Sequence, residues 1–187
     1  MRTGIIISIA VMIIAGCTTT DAPQYRSWEA TIGVEGGIIG AEDAVVVHIR
    51  PQTAREDTLV SVSESPAPRI ELSNDFVVHE PYYSIQPIPL GEEEFAYLDA
   101  TGEPISIFIP VPEDADTDRI MAAWLSSEYH SYATGSSIPA WEYLDGQYGP
   151  DIGYFVFRVF GASPDGSYFV LIETESARPR IQDIMVE

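Results

Sequence analysis

Asp114, Asp116 and Asp118 stand at alternate positions, the spacing with which a calcium loop begins, because oxygens placed that way can converge on one hard cation. An EF-hand would continue with glycine at the sixth position and glutamate at the twelfth, and here those positions hold Arg119 and Leu125. A guanidinium beside the cation repels it. The triad therefore reads as the acidic start of a helix, with a casual surface calcium site as the lesser alternative. His48, His79 and His130 fall on separate segments and offer no close pair of the kind zinc sites use. No Gly-x-Ser-x-Gly elbow occurs, and Gly135-Ser136-Ser137 reads as a loop. With 29 acids in the chain, carboxylate neighbours suited to glycoside hydrolysis arise by chance and carry no signal. Glycines 33, 36, 37 and 40 resemble a phosphate cradle only superficially, since no lysine is present and a strand, not a helix, follows.

Composition narrows the chemistry further. All nine basic residues of the 187 are arginine, which removes Walker-type phosphate loops, Schiff-base chemistry and Ser–Lys dyads. A formal charge of −20 argues against binding nucleic acid. A single cysteine forbids an internal disulfide framework. The aromatic residues are more suggestive. Tyr82, Tyr83, Trp141 and Tyr143, with Tyr148 and Tyr154, lie in or beside connections, where such rings supply rigid, amphipathic contact area. The first four are the candidate ligand-binding residues. The competing reading is that these rings plug the ends of a core.

The amino terminus carries one positive charge at Arg2, then an apolar stretch from Gly4 to Ala15, then Gly16-Cys17. That twelve-residue stretch, apolar but for Ser8, spans about 18 Å as a helix, short of the roughly 30 Å a bilayer core requires. The segment has the layout of an export signal. Its end, Ile14-Ala15-Gly16-Cys17, resembles the lipobox of bacterial lipoproteins at all four positions. That resemblance implies cleavage between Gly16 and Cys17, a diacylglycerol thioether on Cys17 and an acylated new amino terminus. The implied partner of Cys17 is the lipid bilayer, held by several acyl chains without a membrane helix. Thr18 stands where an aspartate would favour retention at the inner membrane of enteric bacteria. In a diderm host this implies the outer membrane, facing the periplasm. Loss of Arg2 with the signal makes the mature charge −21. So acidic a surface suits either a salt-adapted organism or simply a soluble acidic body.

The expected organisation is a signal over 1–16, a lipidated cysteine and tether over 17–26, and a β-rich body over 27–187. Trp28, Ala30, Ile32 and Val34 alternate with Glu29, Thr31, Gly33 and Glu35 as a strand, Gly36-Gly37 follows as a turn, and Ala44 to Arg50 is β-branched enough for a buried strand. Leu59 to Ser63, Arg69 to Ser73 and Phe76 to His79 follow as short strands, while prolines at 66, 68, 81, 87 and 89 assign their neighbourhoods to edges and connections. Two hairpins are predicted: Phe95 to Asp99 with Pro104 to Val111, and Tyr154 to Phe160 with Ser167 to Thr174. A last strand is predicted over Arg180 to Val186. Ile120, Met121, Trp124, Leu125, Tyr129 and Tyr132 recur at spacings of three and four behind acidic cap candidates, which predicts one amphipathic helix ending near Gly135. A shorter turn is expected over Ala140 to Leu144. The fold class is mainly β: a single β-sandwich-like domain of about nine short strands with that one helix. Pro-containing Glu64 to Arg69 is the one plausible inner boundary.

These readings point to a non-catalytic, membrane-anchored envelope lipoprotein with no cofactor, whose body binds an envelope protein partner or supports envelope assembly. Two alternatives stand beside it. One is a carbohydrate- or small-ligand-binding module using the loop aromatics; the other is a hydrolase of unrecognised type.

Overall fold

The computed structural model describes residues 24–54, 56–90, 98–99, 104–126, 130–131, 136–137, 140–163 and 166–175. Cys17, the signal segment and the strand expected over Arg180 to Val186 lie outside these residues. In chain order the strands are β1 (Ser27–Ile32), β2 (Gly37–Gly40), β3 (Val46–Ile49), β4 (Thr58–Ser65) and β5 (Val77–Pro89). Next come β6 (Leu98–Asp99), β7 (Ile105–Pro110), β8 (Ile120–Ser126), β9 (His130–Ser131) and β10 (Ser136–Ser137). Last are β11 (Ala140–Leu144), β12 (Gly146–Gly149), β13 (Tyr154–Val159), β14 (Gly161–Ala162) and β15 (Ser167–Glu173). They form a six-stranded sheet, β1-β4-β5-β15-β8-β11, and a five-stranded sheet, β12-β13-β7-β3-β2, with β9/β10 and β6/β14 as small ladders. Both large sheets are antiparallel throughout.

Alternation along each strand makes the core. Val60, Val62, Ile85, Ile120 and Leu171 of the six-stranded sheet face Val47, Ile49, Ile105, Ile107, Phe155 and Phe157 of the other, all at most 1% exposed. Phe169 sits at the centre: its ring stacks on Tyr83 and Trp124 at 5.6 Å each and meets Phe157 across the interior at 5.9 Å. The mainly β, sandwich-like class expected from the sequence is what these two sheets form. The chain passes from one sheet to the other at Gly33–Gly36, where the Gly36 amide donates to the Gly33 carbonyl at 3.0 Å. At Gly40 the turn into β3 demands glycine, because φ is +119° and a Cβ would run into the Val45 carbonyl.

Several local expectations are corrected. The described residues contain no helix, and the segment that carried the helical spacing is β8 in the middle of a sheet. The cause is two-sided burial. Ile120, Ala122 and Trp124 face the core, while Met121, Ala123 and Leu125 lie on the opposite face, which is also covered. A strand covered on both faces is apolar at every position, so its larger side chains can mimic a helical period. Tyr129, Tyr132 and Gly135 lie outside the described residues. The segment Ala140 to Leu144 is the edge strand β11 rather than a turn.

Neither hairpin forms as expected. Leu98–Asp99 pairs with Gly161–Ala162, while β7 pairs with β3 and β13. The strands β13 and β15 belong to different sheets, so they do not pair as a hairpin. Pro81, Pro87 and Pro89 all lie within β5, an interior strand of the six-stranded sheet, contrary to their assignment to edges and connections. Pro81 sits where the β5–β15 register slips, between the pairs Phe169↔Tyr83 and Leu171↔His79. Beyond Ile85, which pairs with Ser167 at the start of β15, Pro87 and Pro89 pair only with β4. A bulge and a one-sided flank are the settings in which a strand tolerates proline. Arg69 to Ser73 is not a strand; it belongs to the segment described next.

Candidate functional site

The outer face of the six-stranded sheet changes character across its width. On β1 and β4 it carries Glu29, Thr31, Ser61 and Ser63, the ordinary wet face of an antiparallel sheet. From β5 to β11 it becomes apolar, with Tyr82, Val170, Ile172, Met121, Ala123 and Trp141 gathered into a second cluster separate from the core. Register explains the convergence. Trp141 pairs with Leu125 and Tyr143 with Ala123, Ala123 pairs with Val170, and Ile172 pairs with Val78, so these side chains emerge on one face.

Residues 66–76, the connection from β4 to β5, lie over this face as a strap. Leu72 and Phe76 pack on the cluster. Trp141 donates its indole Nε1–H to the Ile70 carbonyl at 2.8 Å. The Phe76 and Tyr143 rings meet at 5.0 Å, and those of Tyr82 and Trp141 at 6.3 Å. From β4 to β11 is four strand spacings, about 19 Å, and five residues from Ser65 to Ile70 reach at most about 17 Å. The outgoing arm must therefore run nearly straight, with the Trp141 side chain closing the remainder. Pro66 and Pro68 favour such an extended course, and each lacks the amide donor that would need a partner.

Three of the four sequence-predicted aromatics thus come together. Tyr82 is 7% exposed, Trp141 half-buried, and Tyr143 44% exposed at the rim. Burial, reinforced by the charge of Glu80, raises the Tyr82 phenol above its ordinary range. Tyr83 does not join them. It faces the core on Phe169, and burial with the nearby charge of Glu64 pushes its phenol up to about 12. Sequence reasoning missed Ile70, Leu72 and Phe76 as site residues, because it placed them in short strands over Arg69 to Ser73 and Phe76 to His79.

A second cluster roots the chain where the expected tether ends. Arg26 donates its backbone amide and Nε to the Glu64 carboxylate at 3.1 and 2.8 Å, and Nη1 to Asp43 at 2.7 Å. The Glu64 amide returns a bond to the Arg26 carbonyl at 2.8 Å. The guanidinium carbon lies 5.5 Å from the centre of the Trp28 ring, and the bond to Glu64 is the chief cause raising the Arg26 pKa. Tyr154 donates its hydroxyl to the Glu42 carbonyl beside this cluster. Burial, with the charges of Glu42 and Asp43, raises that phenol too.

The remaining candidates stay dispersed. His48 lies on β3 and His130 on β9. His79, on β5, places Nε2 3.4 Å from Glu173 Oε2, yet that nitrogen makes no hydrogen bond among the described residues. Asp116 serves a turn: its Oδ1 accepts from the Asp118 amide at 3.1 Å, and its Oδ2 lies 3.2 Å from Arg119 Nε. The arginine that breaks the EF-hand pattern is thus the partner of the central acid of the triad. No group of three His, Cys, Asp or Glu able to hold a metal ion occurs among the described residues. No protein-family model matches the chain, and no curated protein matches it.

Proposed function

We propose that the mature protein is a non-catalytic envelope lipoprotein, anchored through acylated Cys17, whose β-sandwich binds a protein partner. In a diderm host its place is the outer membrane, facing the periplasm. The observation that carries the partner-binding reading is the strap-covered aromatic face. Aromatic clusters with a polar handle, seated in a largely desolvated patch, are the usual anchors of protein interfaces. Glycan binding by stacking needs a ring face open to water, whereas here Tyr82 is 7% exposed and the Trp141 indole is committed to a carbonyl. The Arg26 cluster supports the anchored reading. It pins the first strand at the point where a tether from Cys17 would arrive, so the body keeps one attachment point.

A photo-crosslinking residue placed at Tyr143, on the rim of the aromatic face, tests this in cells of the native host. The expected result is a discrete protein adduct in the envelope fraction, lost when Trp141 is replaced by Ala. Repeated recovery of uncrosslinked monomer, or a thermal shift on adding glycans instead, would overturn it.

A further inference from the structure

We propose that the 66–76 strap is a replaceable occupant of the aromatic face, and that the partner docks there with an extended apolar segment flanked by basic residues. This deepens the partner-binding reading above and rests on it. The occupant already in place shows the chemistry the face accepts: a carbonyl for the Trp141 indole and apolar side chains at Leu72 and Phe76. The way it is held makes it replaceable. Among the described residues no backbone–backbone hydrogen bond joins residues 66–76 to any strand. Two side-chain bonds tie it to the sheet: Ser65 Oγ–H to the Pro66 carbonyl at its root, and the Trp141 indole to the Ile70 carbonyl. The face below is different in kind, since β5, β15, β8 and β11 are joined by ladders, with one register slip between β5 and β15, that do not involve the strap. Departure of the strap would thus leave the recognition surface intact while uncovering Ala123, Val170 and Ile172, each now fully buried. Such a face stays covered until another segment covers it.

Charge separates the partner from the strap. The strap carries Glu71 and Asp75 against Arg69, and it covers Tyr82, which feels the charge of Glu80, on a body of strongly negative charge. The native occupant is therefore electrostatically mismatched to its own site. An apolar segment with arginine or lysine at its flanks gains what the strap lacks, both in encounter rate and in the bound state.

The probe is a synthetic peptide of residues 66–76 carrying Glu71→Arg and Asp75→Arg, labelled for anisotropy. It is titrated against the detergent-extracted mature protein and against its Leu72→Ser/Phe76→Ser variant, in which the strap has lost both apolar contacts. A self-occupied site lowers apparent affinity by the fraction of open molecules, so the variant should bind about tenfold or more tightly than the parent. Adding Trp141→Phe to that variant should remove the gain, and the peptide with the native acids should bind more weakly. Equal binding by parent and variant, or binding indifferent to Trp141→Phe, overturns the proposal. Hydrogen exchange on the unaltered protein decides independently of whether the variant folds. Strap amides should exchange orders of magnitude faster than those of β8, and equal protection overturns the proposal. If the Tyr143 crosslink forms and the peptide does not compete with it, the strap proposal fails while the partner-binding reading survives; absence of any adduct sinks the reading itself.

Discussion

Alkaline titration reads the interior of this protein with unusual clarity, because a chain without lysine and with Cys17 replaced has only tyrosines and the amino terminus to lose protons before arginine does. Tyr83 → Phe is the perturbation. The Tyr83 side chain is 3% exposed, and burial together with the Glu64 charge moves its pKa from 10 to about 12. A phenol whose folded pKa lies above its unfolded value contributes stability fully below pH 10 and loses it as pH rises through 12, because the unfolded chain ionises first. Two units at about 1.4 kcal/mol each set an upper bound near 3 kcal/mol, and partial solvent screening brings the expected loss to about 2 kcal/mol. Tyr82 and Tyr154, also raised, add a residual slope in the same direction. The assay is denaturant unfolding of mature protein carrying Cys17→Ser at pH steps from 8 to 12. Tyr83→Phe keeps the ring on Phe169, so its stability at pH 8 should stay within about 1 kcal/mol of the parent. Its loss between pH 10 and 12 should be shallower by about 2 kcal/mol. Parallel curves for the two proteins would refute the burial assigned to this phenol.

Phe169→Ala removes the ring that joins both sheets and should cost about 3–5 kcal/mol, read as a shifted denaturation midpoint. Gly40→Ala should destabilise by more than about 1 kcal/mol, because an added Cβ meets the Val45 carbonyl at a positive φ; thermal unfolding checks it. Arg26→Ala breaks a network in which the guanidinium is 45% exposed and Asp43 is 76% exposed. Its cost should be about 1 kcal/mol and shrink in molar salt, and an undiminished cost there would contradict the geometry.

The legible parts of the fold were those where one physical signal acted alone. β1 and β4 alternate because one face meets the core and the other meets water, and β3 shows its burial through β-branched residues. β8 was illegible as a strand because coverage by the strap erased the alternation that would have revealed it. β5 was hidden by prolines whose placement depends on where β15 begins and where the register slips, neither of which is local information. The aromatic site was half legible. Ring type picked out Tyr82, Trp141 and Tyr143, but only pairing through β15 and β8 brings residues so far apart in sequence onto one face. Tyr83 shows the opposite lesson: adjacent residues on a strand face opposite ways, so Tyr82 and Tyr83 could not both belong to one surface.

The proposed anchored placement of the whole molecule rests on Cys17, and the intact mass of the protein extracted from membranes of its native host tests it most directly. The expected species begins at Cys17, lacks the sixteen preceding residues, and carries the added mass of a diacylglyceryl group and an amino-terminal acyl chain. A species retaining Met1 with a free thiol at Cys17 would contradict it.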